Sequence, residues 1–381
     1  MTDCSPAFSL MTGGPFYRLL LRLRLVRPPL GLLWRRVAAV LAIAWLPLPI
    51  LAAIADGHAT TSTLSLFLTS VEGHVRLLVV LPLLLAAEIP CHRRLGVAVE
   101  QFLSRRLVAD ADRSRFDAAV AAALRRRDAL LPELVLLVLV YLSSDWLWHW
   151  RDTPAGEVWF AVVSNGGSHP TVPGVWYVLV SVPLFQFVLL RWYWRQLIWF
   201  HLLWRISRLE LSLPAAHPDA AAGLGFLADS ARAFVLVLLA HGALLAGRVV
   251  DHVTATGADL TAFKGDVAVM VVVLLALNLG PLCFFSPQLA EARRQGLLRY
   301  GQRAAQGIPR ASNGIDPSDG VDHALATVAS NYDRVQKIRV MPFSLAFAGR
   351  LAVIILLPLV PVAGAALPVG TLAMRLAKII L

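Results

Sequence analysis

Seven stretches of this sequence are apolar almost without interruption: residues 37–55, 71–89, 129–149, 172–190, 233–250, 267–285 and 349–368. Each approaches the roughly 20 apolar residues an α-helix needs to cross about 30 Å of hydrocarbon. Between them the pattern changes. Residues 16–27, FYRLLLRLRLVR, interleave arginine with leucine, so that Arg18 and Arg22 share one helix face. Residues 93–128 read as two short helices with Asp110 and Asp112 as caps, the second running on into the third span. Residues 286–306 continue the sixth span, and GIPRASNGIDPSDG then gathers the Gly, Pro, Asn, Asp and Ser of a connector. Prolines inside the spans, Pro47, Pro82, Pro183 and Pro358 among them, predict kinks that neighbouring helices can absorb. Ala53-Ile54-Ala55 has the look of a signal cleavage site, but the apolar run before it exceeds a signal core, so an uncleaved anchor is expected.

The predicted fold is therefore all-α: a polytopic membrane helix bundle of about seven transmembrane helices. Residues 1–36 form a basic amphipathic segment, and 37–368 form the bundle, with cytoplasmic helical loops at 91–128, 191–232 and 286–348. Residues 369–381 are expected as an amphipathic C-terminal helix on the outer surface of the membrane, the alternative being a short eighth or re-entrant segment that returns Arg375 and Lys378 to the inside.

Composition strengthens this picture. Of 381 residues, 57% are hydrophobic and only 15% charged, against about a quarter charged in soluble domains. Charge then orients the bundle. The formal net charge is +11, and 29 of the 35 basic residues fall on alternate connections: before the first span, and between spans two and three, four and five, and six and seven. Basic residues stay on the cytoplasmic side, which puts the N-terminus inside and makes a bacterial inner membrane the expected location. Charge divided among juxtamembrane loops excludes a nucleic-acid face and selects anionic lipid headgroups as partners. A homo-oligomer is compatible with the same pattern. The cysteines Cys4, Cys91 and Cys283 have neither disulfide nor metal-ligand spacing.

No phosphate-binding glycine loop, His-Glu-x-x-His, Cys-x-x-Cys or Gly-x-Ser-x-Gly motif occurs, so no enzyme class and no cofactor are expected. The remaining pointers are polar residues inside spans, where lipid exposure is costly. His241, Asn278 and Gln186 lie at comparable depths and are the candidate lining of a permeation pathway. Asp145 and Arg248, at the outer ends of spans three and five, are a candidate vestibule pair. Glu88 and Glu133 sit at the inner ends of spans two and three. For each, the competing role is an interhelical bond that fixes packing. On the cytoplasmic side, His217-Pro218-Asp219 and Gly223-Leu224-Gly225 suggest an inner hinge, with Asp219 as a helix cap. The pattern favours a channel or secondary transporter for an ion or small solute. A non-catalytic scaffold or sensor is one alternative, and a redox protein with b-type haem is another, although only His241 among the histidines lies deep.

The pieces PLFQFVLLRWYWRQLIWF, LWRISRLEL, HPDAAAGLGFL and GALLAG, between Pro183 and Gly247, resemble a family of uncharacterised bacterial multi-pass membrane proteins, and NYDRVQKIRVMPF extends the likeness. The resemblance implies the same architecture and carries no activity. The loop departs from the family pattern at Ala220, where an arginine is usual, and at Ala222, where a glycine is usual. That departure speaks against a backbone conformation requiring glycine at 222.

Overall fold

A computed structural model of the chain describes residues 8–56, 62–150, 158–164, 167–257, 259–312 and 319–362. The expected C-terminal helix at 369–381 lies outside them. In chain order the described elements are α1 (Pro15–Arg22), α2 (Leu33–Asp56), α3 (Thr63–Thr69), α4 (Val71–Ser104), α5 (Arg113–Asp128), α6 (Leu130–Trp150), β1 (Ala161–Ser164), β2 (Gly167–Pro170), α7 (Val172–Ile206), α8 (Phe226–Thr256), α9 (Leu260–Arg303), α10 (Asp319–Gln336) and α11 (Leu345–Val362). Six of them, α2, α4, α7, α8, α9 and α11, are long and apolar enough to cross a membrane. The remaining expected span, the third, is α6, whose shorter apolar stretch is Leu130–Ser143. The fold is an all-α polytopic bundle with one small antiparallel hairpin, β1–β2, that the hydropathy pattern does not predict.

At three of the prolines inside the spans, the freed carbonyl is met by a side chain from another helix. Proline has no N–H, so the carbonyl four residues earlier loses its helical donor. Pro47 frees the Ile43 carbonyl, which accepts from Trp176 Nε1 of α7 at 3.0 Å. Pro183 frees the Leu179 carbonyl, which accepts from the Tyr141 hydroxyl of α6 at 3.4 Å. Pro281 frees the Leu277 carbonyl, which accepts from Gln196 Nε2 of α7 at 2.9 Å. The break in α2 also exposes the Ala44 carbonyl, and the buried Ser181 hydroxyl donates to it at 2.6 Å. In hydrocarbon every such group needs a protein partner.

Small residues on α8 let its neighbours approach closely. A Cβ on Gly242 would lie 2.0 Å from the Ile355 carbonyl oxygen of α11, and one on Gly247 would lie 3.2 Å from Val75 of α4.

The basic connections gather at one end of the bundle. Val108 bridges to Leu211, the Ser212 amide donates to the Leu107 carbonyl at 2.8 Å, and the Glu210 amide donates to Asp112 at 2.8 Å. Arg339 N–H reaches the Ala220 carbonyl at 2.9 Å. The Asp112 carboxylate therefore serves the Glu210 amide rather than capping its own helix, for which it makes no side-chain cap bond. The helix through 113–128 also stops before α6, because Ala129 is extended. At the opposite end, Asp251 of α8 accepts from the Val71 and Glu72 amides, both at 2.9 Å, and so caps α4 across the bundle.

Residues 8–30 do not simply lie on a surface. Phe8, Leu10, Met11, Tyr17, Leu20, Val26 and Leu30 are buried, while Arg18, Arg22, Leu19 and Leu23 face outward from α1. The segment is half plug and half amphipathic surface helix.

Candidate functional site

The densest polar chemistry in the described residues is a buried ionic cluster joining four spans near the basic end. Glu88 of α4 stands at its centre. Its Oε2 meets Arg36 Nη1 of α2. Its Oε1 receives Arg195 Nη1 at 2.8 Å and Arg191 Nη1 at 3.3 Å, both from α7. Arg191 Nε also reaches Glu133 Oε1 of α6 at 3.3 Å. All five groups are buried or nearly so. Arg191 and Arg195 are four residues apart, so their guanidiniums leave one helix face together.

The cluster also holds the N-terminal segment. The Phe16 amide donates to Glu133 Oε2 at 2.7 Å. Arg195 Nη2 donates to the Met11 carbonyl at 3.3 Å, and Arg36 Nη2 to the Leu30 carbonyl at 3.4 Å. The Arg191 guanidinium lies 4.8 Å from the Phe16 ring centre, a cation–π contact strengthened by desolvation. Nearby, Asp128 is gripped by Arg127 at 2.6 and 2.9 Å and accepts from the Gly14 amide at 2.9 Å. Three guanidiniums against two carboxylates leave one formal positive charge in excess, and Arg36 Nε has no hydrogen-bond partner. A charge held this way is costly to strip of any partner, so the cluster acts as a clamp across α2, α4, α6 and α7.

Sequence reading placed Glu88 and Glu133 at span ends but counted Arg36, Arg191 and Arg195 among loop charges. The i, i+4 pair inside RWYWR was the available signal, because α7 continues to Ile206 and carries both arginines within the bundle. Trp192 and Trp199 are core residues, and Trp192 Nε1 donates to the Leu84 carbonyl at 3.1 Å.

The three expected pathway residues take different partners. His241 Nδ1 faces the Val237 carbonyl at 2.7 Å, and Nε2 faces the Tyr193 hydroxyl at 2.6 Å. A carbonyl only accepts, so Nδ1 carries the proton and the neutral ring accepts from Tyr193 through Nε2. Asn278 Nδ2 donates to the Ala231 carbonyl at 3.2 Å, while its buried Oδ1 has no partner. Gln186 Oε1 accepts from Ser143 Oγ of α6 at 3.4 Å. Of the expected vestibule pair, Arg248 is exposed on α8, and the Asp145 side chain lies outside the described residues. Cys91 and Cys283 are free thiols, and Cys4 lies outside the described residues.

The inner-loop residues are brought together. The Asp219 carboxylate accepts from the amides of Ala221 (2.9 Å), Gly223 (3.1 Å) and Gly225 (2.9 Å), and His217 Nδ1 lies 3.0 Å from it. Burial works to raise the Asp219 pKa. The three amides and His217 outweigh it and hold the carboxyl below its ordinary value. Gly225 has to be small, because a Cβ there would lie 2.9 Å from Asp219 Oδ2. Gly223 has φ +89, and Ala222, against the sequence expectation, also adopts a left-handed φ of 48. The neighbouring hydrogen bonds pin a conformation that glycine would occupy more cheaply. Arg105 Nη1 fastens the loop from outside, donating to the Gly223 carbonyl at 3.1 Å.

Fold and cluster together define an integral, multi-pass membrane protein. Comparisons with protein-family models, with curated proteins and with solved structures find no match. Among the described residues no group of three or more His, Cys, Asp or Glu side chains is placed to hold a metal ion.

Proposed function

We propose that this chain is a bacterial inner-membrane protein of the scaffold or sensor type, a closed helix bundle whose basic, cytoplasmic end is its working surface. The observation that carries this reading is the ionic cluster. It ties four spans and the N-terminal segment into one block near the basic end of the bundle. The engagement of His241 and Gln186 with neighbouring helices supports a closed interior. The gathering of the arginine-rich connections at one end supports the cytoplasmic assignment.

A second reading, a channel or secondary transporter for an ion or small solute, is favoured by the His241–Tyr193 contact and the unpartnered Asn278 Oδ1. Polar groups at such depth mark pathways in other membrane proteins. Histidine changes charge in the physiological range. Purified protein reconstituted into vesicles containing dyes for protons, potassium and chloride separates the two. The scaffold reading expects permeability equal to that of empty vesicles on either side of neutral pH. A flux well above that baseline that falls in His241→Ala would replace it with the transport reading.

A further inference from the structure

At the basic end, α4, α8 and α11 enclose a crevice of about 390 Å³ whose rim carries Arg94, Arg232 and Arg350. Its walls are apolar: Pro90, Leu236 and Ile354 each lie one helical turn from Arg94, Arg232 and Arg350 toward the middle of the bundle. We propose that this crevice holds a phospholipid with an anionic headgroup, the phosphate among the three guanidiniums and an acyl chain against the apolar wall. The site stands beside either functional reading and rests only on the chain being embedded in a membrane.

Four observations carry it. First, positive charge is in excess. No acidic residue lines the crevice; Asp229, just outside, pairs with Arg232, and among the described residues Arg94 and Arg350 form no ion pair. Second, Arg232 is held in place, its guanidinium 5.3 Å from the Phe347 ring centre. Planar guanidiniums match phosphate oxygens with paired N–H donors, and a partly preorganised one loses less freedom on binding. Third, polarity is graded along the crevice, charge at the rim and hydrocarbon deeper, which is the polarity order of a lipid and not of a soluble anion. Basic pockets between spans on the anionic leaflet recognise lipid headgroups by this means, and the volume lies within the range of small-molecule sites. Fourth, the larger groove at this end, about 1100 Å³ beside α9, sets Glu210 and Glu291 among its arginines and has no such bias toward anions.

The test is native mass spectrometry of the full-length protein in detergent, with phosphatidylglycerol or phosphatidylcholine added at equal concentration. Wild type is expected to retain phosphatidylglycerol in preference to phosphatidylcholine. Arg94→Gln with Arg350→Gln is expected to lower phosphatidylglycerol retention roughly ten-fold or more, on the scale of two lost juxtamembrane arginine contacts. Arg113→Gln with Arg125→Gln, exposed at the same end, changes net charge equally and is expected to leave retention unchanged. Leu236→Trp keeps all three arginines and fills the apolar wall; it too is expected to release the lipid. Far-UV circular dichroism and size-exclusion profiles confirm that each variant is folded. Equal loss in the two arginine pairs, equal retention of both lipids, undiminished retention in folded Leu236→Trp, or full displacement by soluble glycerol phosphate would each overturn the proposal. The last result would point to a site for free anions.

Discussion

At the scale of single residues, the bundle depends on charges placed where water cannot reach them. Glu88 is the clearest case, because three arginines converge on it and Glu133 balances only Arg191. Glu88→Gln keeps the shape and removes the charge. Breaking a buried ion pair from one side costs about 3–5 kcal/mol, and a loss of that size is expected in denaturant or thermal unfolding in detergent. Glu88→Gln unfolding within about 1 kcal/mol of wild type would mean that solvent or lipid phosphate reaches the cluster. Asp219 makes a different prediction. Its folded pKa lies below the ordinary value, so its carboxylate contributes stability that is fully present above about pH 4 and is lost as pH falls through the depressed value. The apparent melting temperature of wild type should therefore fall as pH drops below about 4, and Asp219→Asn should be less stable at neutral pH and flatter in that acid range. Equal acid slopes for the two proteins would locate the titration elsewhere. Sequence patterning identified Asp219 with its glycines because Asp, Pro and Gly within ten residues mean a turn whatever surrounds them. It could not identify the Glu88 partners. A hydropathy window scores Arg36 or Arg191 alike whether it snorkels to water or pairs inside, and only the packing of four separate spans decides that.

At the scale of elements, six of the seven expected spans were legible from length and hydropathy alone, since the bilayer imposes both, whereas α6 carries only the shorter apolar stretch Leu130–Ser143. What was not legible is how each broken span is mended. Pro47, Pro183 and Pro281 are visible in the sequence, but the donors Trp176, Tyr141 and Gln196 lie on other helices, 81 or more residues away in two of the three cases. The extended Ala129 between α5 and α6 was equally hidden, because no glycine or proline occupies that position. The repairs predict a thermodynamic coupling. Gln196→Leu leaves the Leu277 carbonyl without a donor, and an unmet buried acceptor costs about 1–3 kcal/mol. Pro281→Ala restores the helical donor to that same carbonyl. In the Pro281→Ala background, Gln196→Leu should therefore cost less than about 1 kcal/mol, since the carbonyl is already satisfied. A double-mutant cycle on detergent unfolding reads the difference directly. A coupling energy near zero would show that Gln196 and Pro281 act independently.

At the scale of the whole molecule, one arrangement underlies the clamp, the loop around Asp219 and the arginine-rimmed crevice: every basic connection converges on a single end. Alternating arginines in the sequence already implied this, because spans that alternate in direction return every second loop to the same side. The structure gives the implication contacts, joining 105–112 to 210–223 and 220 to 339 through backbone and side-chain hydrogen bonds. Segments in direct contact share one face of the membrane, whichever face that is. The consequence is open to cysteine labelling in intact cells with a reagent that does not cross membranes, starting from a variant without native cysteines. Ser114→Cys and Glu210→Cys, both exposed at the basic end, should react only after the cells are permeabilised. Thr69→Cys and Thr261→Cys, exposed at the opposite end, should react in intact cells. Reversal of both pairs would keep the fold and turn it over, placing the basic end outside against the pull of its own charge. Reaction of Ser114→Cys and Glu210→Cys from opposite faces would be incompatible with the Val108–Leu211 bridge, and the ionic clamp that depends on the same packing would go with it.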